Sequence, residues 1–134
     1  MKFKFLEHTA DIKFQAFGKN LEEVFANSAL AMFNSMFNRK VKKTEKFNVE
    51  AEGKDNESLL YNFLEELIIL FDENQFFLSG VEKIKIKDGK LQAKVVGDKA
   101  ENYKISLDVK AITYNEMFVK KIKDKWVSQV VLDV

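Results

Sequence analysis

With 134 residues and 46% hydrophobic content, the chain has the size of one domain and can bury roughly two-thirds of its unfolded surface. Its 22 basic and 21 acidic residues leave a net charge of +1, and Arg39 is its only arginine, which argues against dedicated nucleic-acid binding through forked arginine contacts. The lack of cysteine excludes disulfides, thiolate metal sites and cysteine nucleophiles.

The N-terminal MKFKFLEH alternates lysine with phenylalanine and has no signal-peptide core, and no apolar run approaches the roughly 20 residues of a membrane span. A cytoplasmic address without membrane contact is expected. Residues 2–6 (KFKFL) alternate strictly and predict a strand with Phe3 and Phe5 on one face. Residues 12–17 (IKFQAF) predict a second, with Ile12, Phe14 and Ala16 together. Between them residues 7–11 (EHTAD) form a loop that crowds Glu7, His8, Thr9 and Asp11 into one turn.

Asn20 and Glu23 have capping-box spacing, and Leu21, Val24, Phe25, Ser28, Ala29, Met32, Phe33 and Met36 recur every three or four residues. They predict an amphipathic helix ending near Asn38, its Met and Phe stripe packed in the core. Residues 46–52 (KFNVEAE) predict a third strand with Phe47, Val49 and Ala51 inward. Asp55 or Asn56 then caps a second helix, whose Leu59, Leu60, Phe63, Leu64, Leu67, Ile68 and Phe71 form a buried stripe. Glu57, Glu65 and Glu66 lie on its solvated faces.

From residue 81 the pattern is all strand. Residues 81–97 hold two alternating runs joined by Asp88-Gly89, the chemistry of a type I′ turn. Residues 103–114 (YKISLDVKAITY) alternate as one strand, and 117–122 and 126–133 form a last hairpin around Lys123-Asp124-Lys125. Eight strands and two amphipathic helices, joined by short connections, predict an α+β fold: one two-layer domain over residues 1–134, helices on a mostly antiparallel sheet.

Few chemistries survive inspection. A serine nucleophile would need Ser28, Ser35 or Ser58, all in or at the start of helices and without a nucleophile-elbow motif. Five glycines supply no phosphate-binding loop. With one histidine and no cysteine, a zinc site lacks ligands, whereas an all-oxygen site for Ca²⁺ or Mg²⁺ stays open, as does a plain turn-capping role for Asp11. The C-terminus adds Asp133 and the α-carboxylate of Val134 at the end of an apolar strand, an ending that implies a held terminus. Two carboxylates about 4 Å apart repel by roughly 1 kcal/mol in water and about 4 kcal/mol at an effective dielectric of 20, a term that a shared cation reverses.

EHTADI (7–12), GKNLEEVFANSALAMF (18–33), LLYNFLEELIILFD (59–72), VKAITY (109–114) and the terminal VVLDV (130–134) together resemble the archease family over nearly the whole chain. The resemblance implies a non-catalytic accessory protein of the GTP-dependent tRNA-splicing RNA ligase, one that promotes guanylylation of the ligase histidine and multiple turnover. It implies a divalent metal, Ca²⁺ first with Mg²⁺ or Mn²⁺ as alternatives, on Asp11, Asp133 and the Val134 carboxylate. His8, Lys110 and Tyr114 are implied as supporting or partner-contacting residues. Little independent RNA binding is expected. The chain departs from the family in carrying Asn115, then Glu116, after KAITY, where relatives frequently have His. A chaperone-like, protein-modulating module without nucleotide chemistry is the alternative.

Overall fold

A computed structural model of the chain describes residues 1–8 and 10–134, so the part of the EHTAD loop expected at Thr9 lies outside the described residues. Two junctions of the same design start the two helices. Strand β2 (Ile12–Gly18) runs through Gly18-Lys19-Asn20 into helix α1 (Leu21–Met36), and strand β3 (Glu45–Glu52) runs through Gly53-Lys54-Asp55 into helix α2 (Asn56–Asn74). In both, the cap backbone is extended at φ −143 and its side-chain oxygen accepts from the third helical N–H: Glu23 N to Asn20 Oδ1 at 2.8 Å, Ser58 N to Asp55 Oδ1 at 2.7 Å. The box expected at Asn20 is half formed, because Glu23 Oε1 accepts from Lys19 N instead. A side chain on either glycine would strike the helix it precedes, with Cβ 2.4 Å from Val24 N at position 18 and 2.3 Å from Leu59 N at position 53.

Among the described residues seven strands form two antiparallel sheets. One has the order β1-β2-β7-β6, with β1 (Phe3–Leu6), β6 (Ala111–Ile122) and β7 (Lys125–Asp133); the other is β3-β5-β4, with β4 (Phe76–Lys87) and β5 (Lys90–Lys99). Helix α1 lies on β2, β7 and β4, and α2 on β3 and β6, so each helix touches both sheets and one core serves both. Phe14, Phe25, Phe33, Phe63, Phe76 and Phe77 are fully buried there, with Phe33 and Phe77 edge-to-face at 5.1 Å. The chain is the expected α+β domain of two helices on antiparallel sheet. No described helix is long and apolar enough to cross a membrane.

Two strand assignments change. Residues 103–110 alternate in burial as expected, yet they pair with no strand; their main chain bonds instead to Met36 O through Ser106 N and to Asp133 O through Lys110 N. Alternation reports one-sided burial, which an extended segment laid across a helix end also has. The separate strands expected at 103–114 and 117–122 are one strand, β6, interrupted by a bulge: Thr113 faces Val131 and Phe118 faces Gln129, leaving four residues of β6 opposite Val130 alone. The Asp88-Gly89 hairpin forms with both residues at positive φ, 53 and 72, as a type I′ turn requires.

Candidate functional site

Strand β7 is central in its sheet, and residues 127–132 are buried on both faces. Ser128 faces α1, where its Oγ meets Ser28 Oγ at 2.8 Å. The odd-numbered residues of β7 therefore lie on the far face, where Gln15 Nε2 donates to Gln129 Oε1 at 2.9 Å. In the β2–β7 register Lys13 faces Val131 and Ile12 faces Leu132. The register ends at Ile12 and Leu132, and Asp11 and Asp133 are the residues next to that last pair.

The end of β6 closes the third side. Ala111 pairs with Asp133, and Lys110 N donates to Asp133 O at 2.8 Å. Asp11, Asp133, Val134 and Lys110 thus meet at one end of the sheet, though Asp11 and Val134 lie 123 positions apart in sequence. Asp133 and Lys110 are exposed, Asp11 and Val134 half-buried. Tyr114 is not part of this cluster. It stacks on Tyr61 of α2 with ring centroids 4.3 Å apart and planes 8° apart, and burial, with Tyr61, Asp55 and Glu65 nearby, pushes its hydroxyl pKa up.

Glu116 enters the site in its own right. The bulge places it at φ +56, folded back over the sheet, where Gln129 Nε2 donates to its carbonyl at 2.8 Å. Its carboxylate takes Lys13 Nζ on one oxygen and His8 Nε2 on the other, each at 3.1 Å. The bond from Lys13, then that from His8, holds its pKa below the usual glutamate value. The two His8 ring nitrogens thus divide between two carboxylates, Nε2 at Glu116 and Nδ1 toward Asp11. That Nδ1 is buried without a hydrogen-bond partner among the described residues and lies 3.8 Å from Asp11 Oδ2. The serines are otherwise engaged: Ser28 with Val24 O and Ser128, Ser35 with Met32 O, Ser58 in the α2 cap. Glu57, expected on a solvated face, accepts from Val119 N at 2.9 Å and ties α2 to β6.

Carboxylates such as those of Asp11, Asp133 and a C-terminus are oxygen donors of the kind hard divalent cations take. Among the described residues no three His, Cys, Asp or Glu side chains group closely enough to hold a metal ion, His8, Asp11, Glu116 and Asp133 included.

Comparison with known proteins places the chain among relatives. The sequence profile described as the Archease protein family matches residues 3–134. A protein named "Protein archease" from Pyrococcus furiosus is 44% identical over 135 residues, covering 96% of this chain and 95% of that one. The solution structure of protein 1598 from Methanobacterium thermoautotrophicum superposes with a TM-score of 0.81 at 35% identity, over 99% of both chains. A crystal structure from Thermotoga maritima, described as an archease and possible chaperone, shares the fold with a TM-score of 0.68 at 20% identity, over 98% of this chain and 96% of that one.

Proposed function

Because the chain belongs to the archease family, we propose that it is an accessory factor of the GTP-dependent tRNA-splicing RNA ligase, promoting guanylylation of the ligase histidine and repeated turnover without catalysing ligation itself. A divalent ion, Ca²⁺ first, would be held by Asp11, Asp133 and the Val134 carboxylate. When bound it would supply a positive charge able to neutralise phosphate oxygens, a contribution of several kcal/mol in phosphoryl transfer. The carrying observation is the β2–β7 register, whose last pair, Ile12 and Leu132, adjoins Asp11 and Asp133 at a sheet end, with the Lys110 main chain bonded to Asp133. Carboxylates on an open edge suit an ion presented to another protein better than one enclosed with a small substrate. Lys110 and Tyr114 would face the ligase, and His8 would orient Asp11, in a cytoplasmic setting.

A chaperone-like role is the second reading, motivated by the description of the Thermotoga maritima relative. A general chaperone needs a contiguous apolar surface. The exposed large apolar side chains described here, Met1, Phe5, Ile69, Tyr114 and Ile122, are spread over the N-terminus, β1, α2 and β6.

Multiple-turnover ligation by the cognate ligase tests the first reading. Wild-type protein is expected to raise turnover, and Asp11→Ala and Asp133→Ala to lose most of that gain while keeping the wild-type melting temperature. Full stimulation by both variants would sink the metal assignment; no stimulation by folded wild type would sink the ligase role.

A further inference from the structure

At the other end of β2 lies a second concave surface that the proposed ligase role does not use. A groove of about 640 Å³ opens where edge strand β1 approaches the start of β4 over the last turns of α1. Phe3 in its wall pairs with Ala16, five residues along β2 from Asp11, so roughly 16 Å separates the two regions.

The groove floor is apolar, from Leu30, Phe33, Phe37 and Phe77, and its rim is cationic. Lys2, Arg39, Lys40, Lys42 and Lys43 line it, and none of the chain's 21 acidic residues does. All five cations are exposed, and none forms an ion pair among the described residues. Basic residues beyond a helix C-terminus often serve only to answer its exposed carbonyls. Here two of the last four carbonyls have other partners, Met36 O accepting from Ser106 N and Phe33 O from Phe37 N. The rim is also held in place. Val41 O accepts from Ser79 Oγ at 2.8 Å, and Lys42 N donates to Tyr103 OH at 2.8 Å, which in turn donates to buried Asp98 at 2.7 Å. A pinned backbone turns the lysines outward in advance, reducing the ordering cost of binding.

We propose that this groove is a docking site for an acidic polypeptide segment of a partner protein, one that seats a bulky apolar side chain on the floor and its carboxylates on the rim. Charge complementarity selects an anion, and the floor selects between anions. Single-stranded nucleic acid binds such surfaces by stacking bases on free aromatic faces. Phe33 and Phe77 are only 2% and 1% exposed and are packed edge-to-face, and half-buried Phe37 packs on Phe77 and Tyr103, so the floor is an apolar seat with little free aromatic face. One arginine among five cations also gives little forked phosphate contact.

The test is fluorescence anisotropy with a labelled Glu-rich peptide bearing a central Leu-Phe pair, at low ionic strength where surface charge is weakly screened. No ligase is present, so the result is separate from the fate of the ligase role. Saturable binding is expected, weakened about tenfold by the triple variant Lys40→Ser, Lys42→Ser, Lys43→Ser. A similar loss is expected when the peptide's Leu-Phe pair becomes Ser-Ser, a change that leaves the protein's own folding untouched. Absence of binding by wild type, or equal affinity for the Ser-Ser peptide, overturns the proposal. Tighter binding of an oligouridylate of equal charge that displaces the peptide reassigns the groove to nucleic acid and overturns it too. Salt-sensitive self-association that the peptide cannot break assigns the groove to a second copy, with the same consequence.

Discussion

Glu116 carries the arrangement of the sheet-end site, since one carboxylate holds both Lys13 and His8 and so fixes which His8 nitrogen faces Asp11. Glu116→Gln keeps the shape and removes the charge. Exposed ion pairs contribute little to stability, so its melting temperature should stay close to wild type. Ca²⁺ affinity by titration calorimetry should fall several-fold if His8 orients Asp11; unaltered affinity would separate the pair from the metal. This residue was hard to see in the sequence, because what matters about position 116 is its positive φ in a bulge, which glutamate does not advertise. His8 and Asp11 were visible, as a rare histidine beside a carboxylate in a turn. Asp98 teaches the reverse lesson. One more acid in a strand pattern, it is buried among hydrogen bonds from Thr44, Tyr103 and Asn102, with Thr44 and then Tyr103 holding its pKa far below the ordinary 3.8. Its depressed pKa in the folded state means that the unfolded chain protonates first as acid is added. The stability it contributes is complete above about pH 5 and drains away as pH falls through and below the ordinary aspartate range. Asp98→Asn should therefore unfold at lower urea than wild type at pH 7, with the gap narrowing steadily toward about pH 2.5. A constant gap would show that the charge is not what matters.

Elements with a strict period were the readable ones. Both helices, their caps, and the strands β2, β3 and β5 follow from spacing, because one face of each is buried and the other is not. The start of β4 was missed for the same reason: Phe76, Phe77 and Leu78 are all buried, so this stretch has no alternation to read. Residues 103–110 misled in the opposite direction, with alternation but no ladder. Close packing at β5 was equally silent. A Cβ on Gly97 would sit 2.0 Å from Phe77 O and 2.8 Å from the Phe76 ring, contacts that flexible side chains cannot relieve. Gly97→Ala should cost about 3 kcal/mol or more in urea unfolding, at the upper end of overpacking effects. A loss under about 1 kcal/mol would mean that β4 and β5 slide apart freely.

For the molecule as a whole, the fold class was legible in the patterning, whereas Asp11, Asp133 and Val134 were linked only through the family resemblance, because their proximity is a product of topology. Nothing local in EHTAD announces that β7 will lie beside β2, and only the sheet order β1-β2-β7-β6 brings the end of β7 to the start of β2. If the Val134 carboxylate is a ligand, a two-residue C-terminal extension should weaken Ca²⁺ binding about tenfold or more while leaving the melting temperature alone. Equal binding would remove Val134 from the set.

The central place of β7 also has a consequence in time. The strand that joins β2 to β6 is the last of those described to leave the ribosome, so the first sheet cannot close until residues 125–133 have emerged. Until then β1–β2 has no neighbour on its inner side, and Phe14 and Ala16 wait for Val130 and Ser128 from over a hundred residues away. Such long-range closure slows folding. A chain that stops short of residue 125 would lack the middle of its sheet together with Asp133.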